Sequence, residues 1–534
     1  MSDDTPASAS AAEPAAAVEP AAAVEPAAAV EPTSVSEEPA SASEEKKPAR
    51  KKVTRAGQAG RWVDDRLGVS KFTQSALDKI FPDHWSFMLG EVALYCFVIL
   101  VITGAYLTFF FSPSEAQVIY HGAYKPLDGL PMSAAFNSVM NISFQVRAGL
   151  VMRQMHHWAA LVFLAAIVVH LCRIFFTGAF RRPREINWII GVTLLLLAMA
   201  NGFTGYSLPD DLLSGTGLRI AYSIVLSIPF IGSWLGFLFF GGKFPGTDTI
   251  QRFFIIHVLF VPALIAIVLT AHLSIVWHQK HTDFPGPGKS EDTIHGSRLW
   301  PQYAIKSTAL FCFTASVIAG LGGLAQINPI WIYGPYQPAA VSSGSQPDWY
   351  IGWLEGALRV MPPFEIREFH HTIPNPFFPG VLLPGITFGL LFAWPFLEQH
   401  FTKDQDRHNL LDRPRDRPLR TALGVSTITF YVILFLAGGT DVLASSFGLS
   451  IQALVHLFQT MLLLLPPLFC FLTWKILKEL SRQKAHPIQQ PVGGRLVRTA
   501  TGGYETEGGE HNGHGPHDNA EPAGAAVDEA LEPT

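Results

Sequence analysis

The chain has little charge, few cysteines, and no cysteine spacing that would give those thiols a shared task. Only 15% of its 534 residues are Asp, Glu, Lys or Arg, against 49% that are hydrophobic. A water-soluble chain of this length cannot cover its surface with so little charge, so the composition excludes a soluble enzyme and reads as a polytopic membrane protein. Cys96, Cys172, Cys312 and Cys470 all lie in apolar stretches, and neither Cys-x-x-Cys nor Cys-x-x-Cys-His occurs. That removes iron–sulfur ligation and covalent haem attachment and leaves buried free thiols rather than disulfides. No apolar leader core precedes the first long hydrophobic run, so no cleaved signal peptide is expected.

What the chain does have is eight apolar segments long enough for a hydrocarbon core of about 30 Å. They cover roughly 85–111, 155–177, 187–206, 253–277, 305–327, 378–397, 420–440 and 451–477. Half-apolar stretches at 132–150 and 213–240 suit amphipathic helices lying at the membrane interface. Residues 1–45 repeat an Ala-Ala-Ala-Val-Glu-Pro unit too broken by proline to fold, an expected disordered acidic tail. A basic stretch at 46–84 follows, fit for an anionic leaflet or for a solvated linker. The remaining divisions are 85–283 for the first four spans, 284–304 as a linker, 305–480 for the last four, and 481–534 as a second disordered tail.

Lys and Arg fix the expected orientation. The N-terminus, the second–third loop (Arg173, Arg181, Arg182, Arg184), the fourth–fifth loop, the sixth–seventh loop (from Lys403 to Arg420) and the stretch after the eighth segment are basic. The other connections are not. Both termini are therefore expected in the cytoplasm of a cell carrying this multi-pass protein in its plasma membrane, surrounded by lipid and not by nucleic acid.

The second segment carries His156 and His170. Fourteen helical steps advance about 21 Å and turn a net of about 40°, so both imidazoles leave one face at two depths. In the fourth segment His257 and His272 are fifteen steps apart, about 22 Å and about 60°. The two segments run the same way, which pairs His156 with His257 near the outer face and His170 with His272 near the inner face. Two imidazoles at each level suit a low-spin haem that carries electrons and leaves no open position for substrate. A lone histidine in a span is commonly a packed polar group, but four at paired spacing where no water reaches need partners. His157 lies thirteen steps from His170, about 140° round the helix, so His156 is the expected ligand.

Gly90 and Gly104 in the first segment, and Gly191 and Gly205 in the third, are also fourteen apart. Without a Cβ they would let a flat macrocycle approach the other two walls of a four-helix bundle. Arg153 and Arg173 stand three residues outward of His156 and His170 and suit haem propionates. The fold class that results is an all-α integral membrane protein of eight transmembrane helices. Its first four bundle around two non-covalent b haems, with interfacial helices beside them.

These residues, with Asn187-Trp188-Ile-Ile-Gly191, Gly205-Tyr-Ser-Leu-Pro209 and Pro347-Asp-Trp-Tyr350, resemble cytochrome b of the bc1 and b6f quinol:cytochrome c reductases over roughly residues 60–480. The fourteen residues between His257 and His272 resemble the b6f and Gram-positive forms. The long tails and Gln346-Pro-Asp-Trp-Tyr350 are most similar to the actinobacterial menaquinol-oxidising type. The resemblance implies an outer quinol-oxidising site with Asp348, where the family has glutamate, as proton acceptor, Tyr350 beside it, and a further role for Glu355. It also implies an inner quinone-reducing site at Lys306, where Ser307 replaces the usual aspartate, with His278 and His281 as tentative donors. Trp188 joins Arg153, Arg173 and the four glycines as cofactor-binding. The implied partners are a Rieske iron–sulfur protein, a c-type cytochrome, an associated cytochrome c oxidase and a second copy of the complex. Two other classes compete. A dihaem b anchor of a dehydrogenase would leave the last four spans without a task, and a secondary transporter should carry inverted repeats of broken helices, which are not visible.

Overall fold

The computed structural model describes residues 54–244, 246–340, 346–368, 371–483, 495–498 and 504–507. The expected 1–45 tail, and most of the 481–534 tail, lie outside the described residues. Within the latter, Arg495–Arg498 and Tyr504–Glu507 pair as antiparallel strands where no structure was expected. The chain divides between Val69 and Ser70, one residue into the helix Val69–Leu77. The first unit contributes helix α1 (Arg55–Leu67), opened by Thr54, whose hydroxyl accepts from Gly57 N at 3.3 Å.

The second unit is built on helices α2 (Val69–Leu77), α3 (Leu89–Thr108), α4 (Ala134–Phe144), α5 (Gly149–Phe176), α6 (Glu185–Ser207), α7 (Leu212–Leu226), α8 (Gly232–Phe240), α9 (Thr249–Gln279), α10 (Ala304–Leu324), α11 (Ile330–Tyr333), α12 (Trp349–Val360), α13 (Leu383–Thr402), α14 (Pro418–Gly438), α15 (Thr440–Phe447) and α16 (Ile451–Gln483). Eight helices among the described residues, α3, α5, α6, α9, α10, α13, α14 and α16, are long and apolar enough to cross a membrane. They coincide with the eight segments read from the sequence. Large apolar side chains such as Ile102, Phe313 and Leu463 stay exposed on them, which an apolar solvent explains and water would not. α4, α7 and α8 fall in the two stretches expected at the interface.

α3 packs along α5, and α6 along α9, while α12 is held against α14 and α14 against α16. α9 is not regular: Ile256–Phe260 form a π turn just before Pro262. Proline has no N–H to continue the ladder, and a π turn absorbs one extra residue. The fifteen-step spacing of His257 and His272 is thereby matched to the fourteen-step spacing of the glycines on α6.

The loops are tied rather than loose. Asp211 caps α7, accepting from Leu213 N at 3.1 Å and Ser214 Oγ at 2.6 Å, and its neighbours bond to Gly334 and Tyr336 across the loop after α10. At the other end of the bundle, Arg184 donates to the His408 carbonyl at 2.8 Å and to Asn409 Oδ1 at 2.9 Å. Arg420, 5% exposed, reaches Asp412 at 2.8 Å and also pairs with Glu398. Strand Ile80–Phe81 pairs with Ser297–Arg298, which brings the segment before α3 alongside the start of α10.

Candidate functional site

Each histidine lies against the glycine expected at its level. A Cβ on Gly104 would stand 3.1 Å from His156 Cε1, and one on Gly205 would stand 2.3 Å from His257 Cε1. At the other level, Gly90 would meet His170 Cε1 at 3.4 Å and Gly191 would meet His272 Cε1 at 3.7 Å. At each glycine the absent Cβ leaves room for the facing imidazole, which lets α3 close on α5 and α6 on α9.

The outer pair faces itself with ring centroids 6.0 Å apart and planes at 79°. One metal ion between two nitrogens, at about 2 Å from each, fits such a separation. The Nδ1 atoms are already engaged, His156 with Thr103 Oγ1 at 2.9 Å and His257 with the Asn201 carbonyl at 2.9 Å. That leaves both Nε2 atoms open to a ligand, an arrangement that would orient a metal-bound imidazole. Neither Thr103 nor Asn201 was picked out by sequence spacing. The arginines also fit an anionic cofactor edge. Arg153 gives one N–H to the Asn328 carbonyl at 2.9 Å but keeps a buried Nε without partner, and Arg173 keeps Nε and one terminal nitrogen unpaired over the Phe87 ring at 4.1 Å. Buried guanidinium donors left open are costly unless a ligand takes them. Trp188 is placed differently: its indole donates to the Leu391 carbonyl at 2.6 Å and packs on Phe180, tying α6 to α13.

A cavity of about 410 Å³ is lined by His156, His257, Gly104 and Gly205 together with Arg153, His157, Asp211, Asp348 and Tyr350. His157 Nε2 is 2.9 Å from Asp348 Oδ1 and 3.1 Å from Oδ2, and the Tyr350 hydroxyl donates to Oδ2 at 3.3 Å. Burial and that carboxylate hold the Tyr350 phenol well above its usual range, so it stays a donor. His157 was set aside as the wrong neighbour of a ligand. The signal was present: a second histidine about 100° round the helix must also meet something polar. Glu355 is not among the cavity-lining residues. It takes the Arg359 guanidinium at 3.0 Å, and Arg359 also reaches Asp441 at 3.1 Å. Burial raises its carboxyl, against the pull of Arg359.

The inner candidates are spread out. Lys306 pairs with Asp83 at 2.6 Å, with both side chains about half exposed, and reaches Ser297 Oγ at 3.3 Å. His278 is exposed at the end of α9. His281 is set against Phe81 at 4.7 Å between centroids, and burial first, then Lys79, Arg173 and Arg184, push its pKa down to about 4. It is therefore neutral at physiological pH, able to donate and accept. Ser307 donates to Glu91 at 3.0 Å, a residue that helix periodicity alone did not single out.

The comparisons with known proteins point to one family. The family model described as "Cytochrome b(N-terminal)/b6/petB" matches residues 161–335. A cytochrome bc1 complex cytochrome b subunit of Mycobacterium tuberculosis is 51% identical over 444 residues, 83% of this chain and 81% of the relative. The corresponding subunit of Corynebacterium diphtheriae is 49% identical over 461 residues, 86% and 85% of the two chains. That of Streptomyces coelicolor is 49% identical over 419 residues, 78% and 76%. Among solved structures, a "Hyperthermophilic respiratory Complex III" chain aligns with a TM-score of 0.58 at 20% identity, covering 78% of this chain and 99% of that one, which speaks to the fold.

Proposed function

This chain belongs to the cytochrome b subunits of cytochrome bc1 complexes, respiratory oxidoreductases, and from that membership we propose that it joins two quinone sites through two b haems. The observation that carries the proposal is that one cavity is lined both by the His156–His257 pair and by Asp348 and Tyr350. A b haem held between each histidine pair supplies reversible one-electron carriage when bound. His156 and His257 hold the outer one and His170 and His272 the inner, with Arg153 and Arg173 as donors to their carboxylates. Quinol oxidation releases protons, and Asp348 accepts one as general base, its carboxylate held in place by His157 and Tyr350. One electron goes to a Rieske iron–sulfur partner and the other inward across the membrane.

The inner site takes up electrons and protons to reduce quinone, so the cycle contributes to the proton-motive force. His281 and Lys306 are its cytoplasmic-side groups, and His278 stands at its rim. The basic loops support both termini in the cytoplasm. The resemblance to actinobacterial subunits supports menaquinol as substrate, a c-type cytochrome and an associated oxidase as partners, and a dimeric complex. The test is a reduced-minus-oxidised spectrum of the purified complex. Two b-type contributions are expected, one of them lost in His156→Ala and the other in His170→Ala. A complex without b-type absorption would end the proposal.

A further inference from the structure

Glu91 is the first acidic residue of α3, one position after the glycine that receives His170. Its carboxylate is enclosed by hydroxyls from two helices. The Tyr303 hydroxyl donates to Oε1, Tyr95 donates to Oε2 at 2.7 Å, and Ser307 Oγ donates to Oε2 at 3.0 Å. The Tyr95 and Ser307 hydroxyls are also hydrogen-bonded to each other. Among the described residues no cation forms an ion pair with Glu91, since the neighbouring Lys306 is committed to Asp83. Phe81 stacks on the Tyr303 ring at 4.4 Å and meets His281 on its other contact, so the cluster continues toward the aqueous end of the bundle. Glu91 is a carboxyl group in the first turn of an apolar span whose hydrogen-bond partners are hydroxyls, which serve its charged and its neutral form alike. Tyrosine and serine can donate to either form, which suits a group that gains and loses a proton.

We propose that Glu91 is the proton donor to quinone at the inner end of the bundle, with Tyr95, Tyr303 and Ser307 orienting it; this rests on the inner quinone site of the preceding reading. Reducing a quinone to quinol takes two electrons, supplied by quinol oxidised at the outer site, and two protons. For one of these protons, the O–H bond of protonated Glu91 breaks as an O–H bond forms on a quinone oxygen. The carboxylate left behind is reprotonated from the inner aqueous phase, beside Lys306 and His281.

The test uses the purified bc1 complex with a short-tailed menaquinone. Infrared difference spectra of its reduction should contain a carboxyl C=O band that Glu91→Gln removes and Glu91→Asp shifts. Quinone-driven reoxidation of the inner b haem should slow about 100-fold in Glu91→Gln and recover in Glu91→Asp, with the haem content of both unchanged. A band that is absent from the unsubstituted complex, a band that survives Glu91→Gln, or an unchanged reoxidation rate overturns the assignment. If Glu91→Gln does not assemble, Tyr303→Phe with Ser307→Ala keeps the carboxyl group and removes two donors; its band must then move, and an unmoved band overturns the assignment equally. Failure of quinone to reoxidise the inner haem in the unsubstituted complex would instead remove the inner site itself.

Discussion

His157 Nε2 stands 2.9 Å from Asp348 Oδ1, while its neighbour His156 turns Nδ1 to Thr103 at 2.9 Å. Adjacent residues on one helix therefore turn to two different partners within one cavity, because about 100° of rotation separates their side chains. The separation makes the two roles independently removable. Asp348→Asn keeps the shape but cannot accept a proton, and quinol oxidation at the outer site should fall about 100-fold with both haems retained. His157→Ala should likewise keep both b-type bands and slow oxidation by a smaller factor, since it loosens the carboxylate without removing it. Haem spectra alongside pre-steady-state quinol oxidation check both outcomes.

The four glycines predict a graded series. Alanine at Gly205 would place its Cβ 2.3 Å from His257 Cε1, far inside contact, whereas alanine at Gly191 would stand 3.7 Å from His272, an ordinary separation. Gly205→Ala should displace His257 and lose the outer haem, while Gly191→Ala should keep the inner one. Haem per protein, read from pyridine haemochrome absorbance of each purified variant, would rank the sites. Equal loss at both would mean that the clearance is not what these glycines provide.

How much of this was legible depended on how local the cause was. The spans followed from apolar length alone, and the histidine and glycine levels followed from helical period, because both are set within one segment. Glu91 illustrates what period cannot reach. Its partner Tyr95 is four residues away and readable, but Tyr303 and Ser307 lie more than two hundred residues on and meet it only through packing of α10 on α3. The Glu355–Arg359 pair could be read at four-residue spacing, yet the third member, Asp441, came from another helix. Trp188 looked like a cofactor residue by motif, and its bond to Leu391 is an equally specific use that no motif announces.

Two carboxyl groups on the loops beside the outer cavity predict a pH dependence. Burial, reinforced by Asp210, pushes Glu115 up to about 7, and burial pushes Asp210 up to about 6 against a hydrogen bond from Ser133. A carboxyl whose folded pKa is raised binds its proton more tightly in the folded state than in the unfolded one. Its effect is therefore to lower stability as pH rises from the ordinary carboxyl range, about 4, through its folded value, and the loss is complete above that value. Glu115→Gln removes the ionisation. The variant should gain in thermal midpoint over the unsubstituted complex at about pH 8 and show little difference at about pH 5. A uniform shift at both pH values would mean that Glu115 acts through packing instead.

Arg420 raises the question of whether a basic residue at the membrane edge is there for orientation or for structure. It is 5% exposed, bonds Asp412 at 2.8 Å and Glu398 through both Nε and a terminal nitrogen, and lies over Phe180 at 5.4 Å. Asp412 also takes Arg181 at 3.3 Å and Arg417 at 3.2 Å, so three arginines converge on two carboxylates between α5, α13 and α14. An exposed orienting charge could be replaced at little cost. A buried one cannot, because removing it strands Glu398 and part of Asp412 without compensation, at about 3–5 kcal/mol. Arg420→Ala should therefore lower the thermal midpoint of the detergent-solubilised complex by several degrees, and Arg420→Lys should recover only part of the loss, since an ammonium cannot span both carboxylates as the guanidinium fork does. Reporter fusions at the C-terminus of the same variants would separate the two roles: an unchanged location with reduced stability fits the network, and an inverted terminus with unchanged stability would assign Arg420 to topology alone.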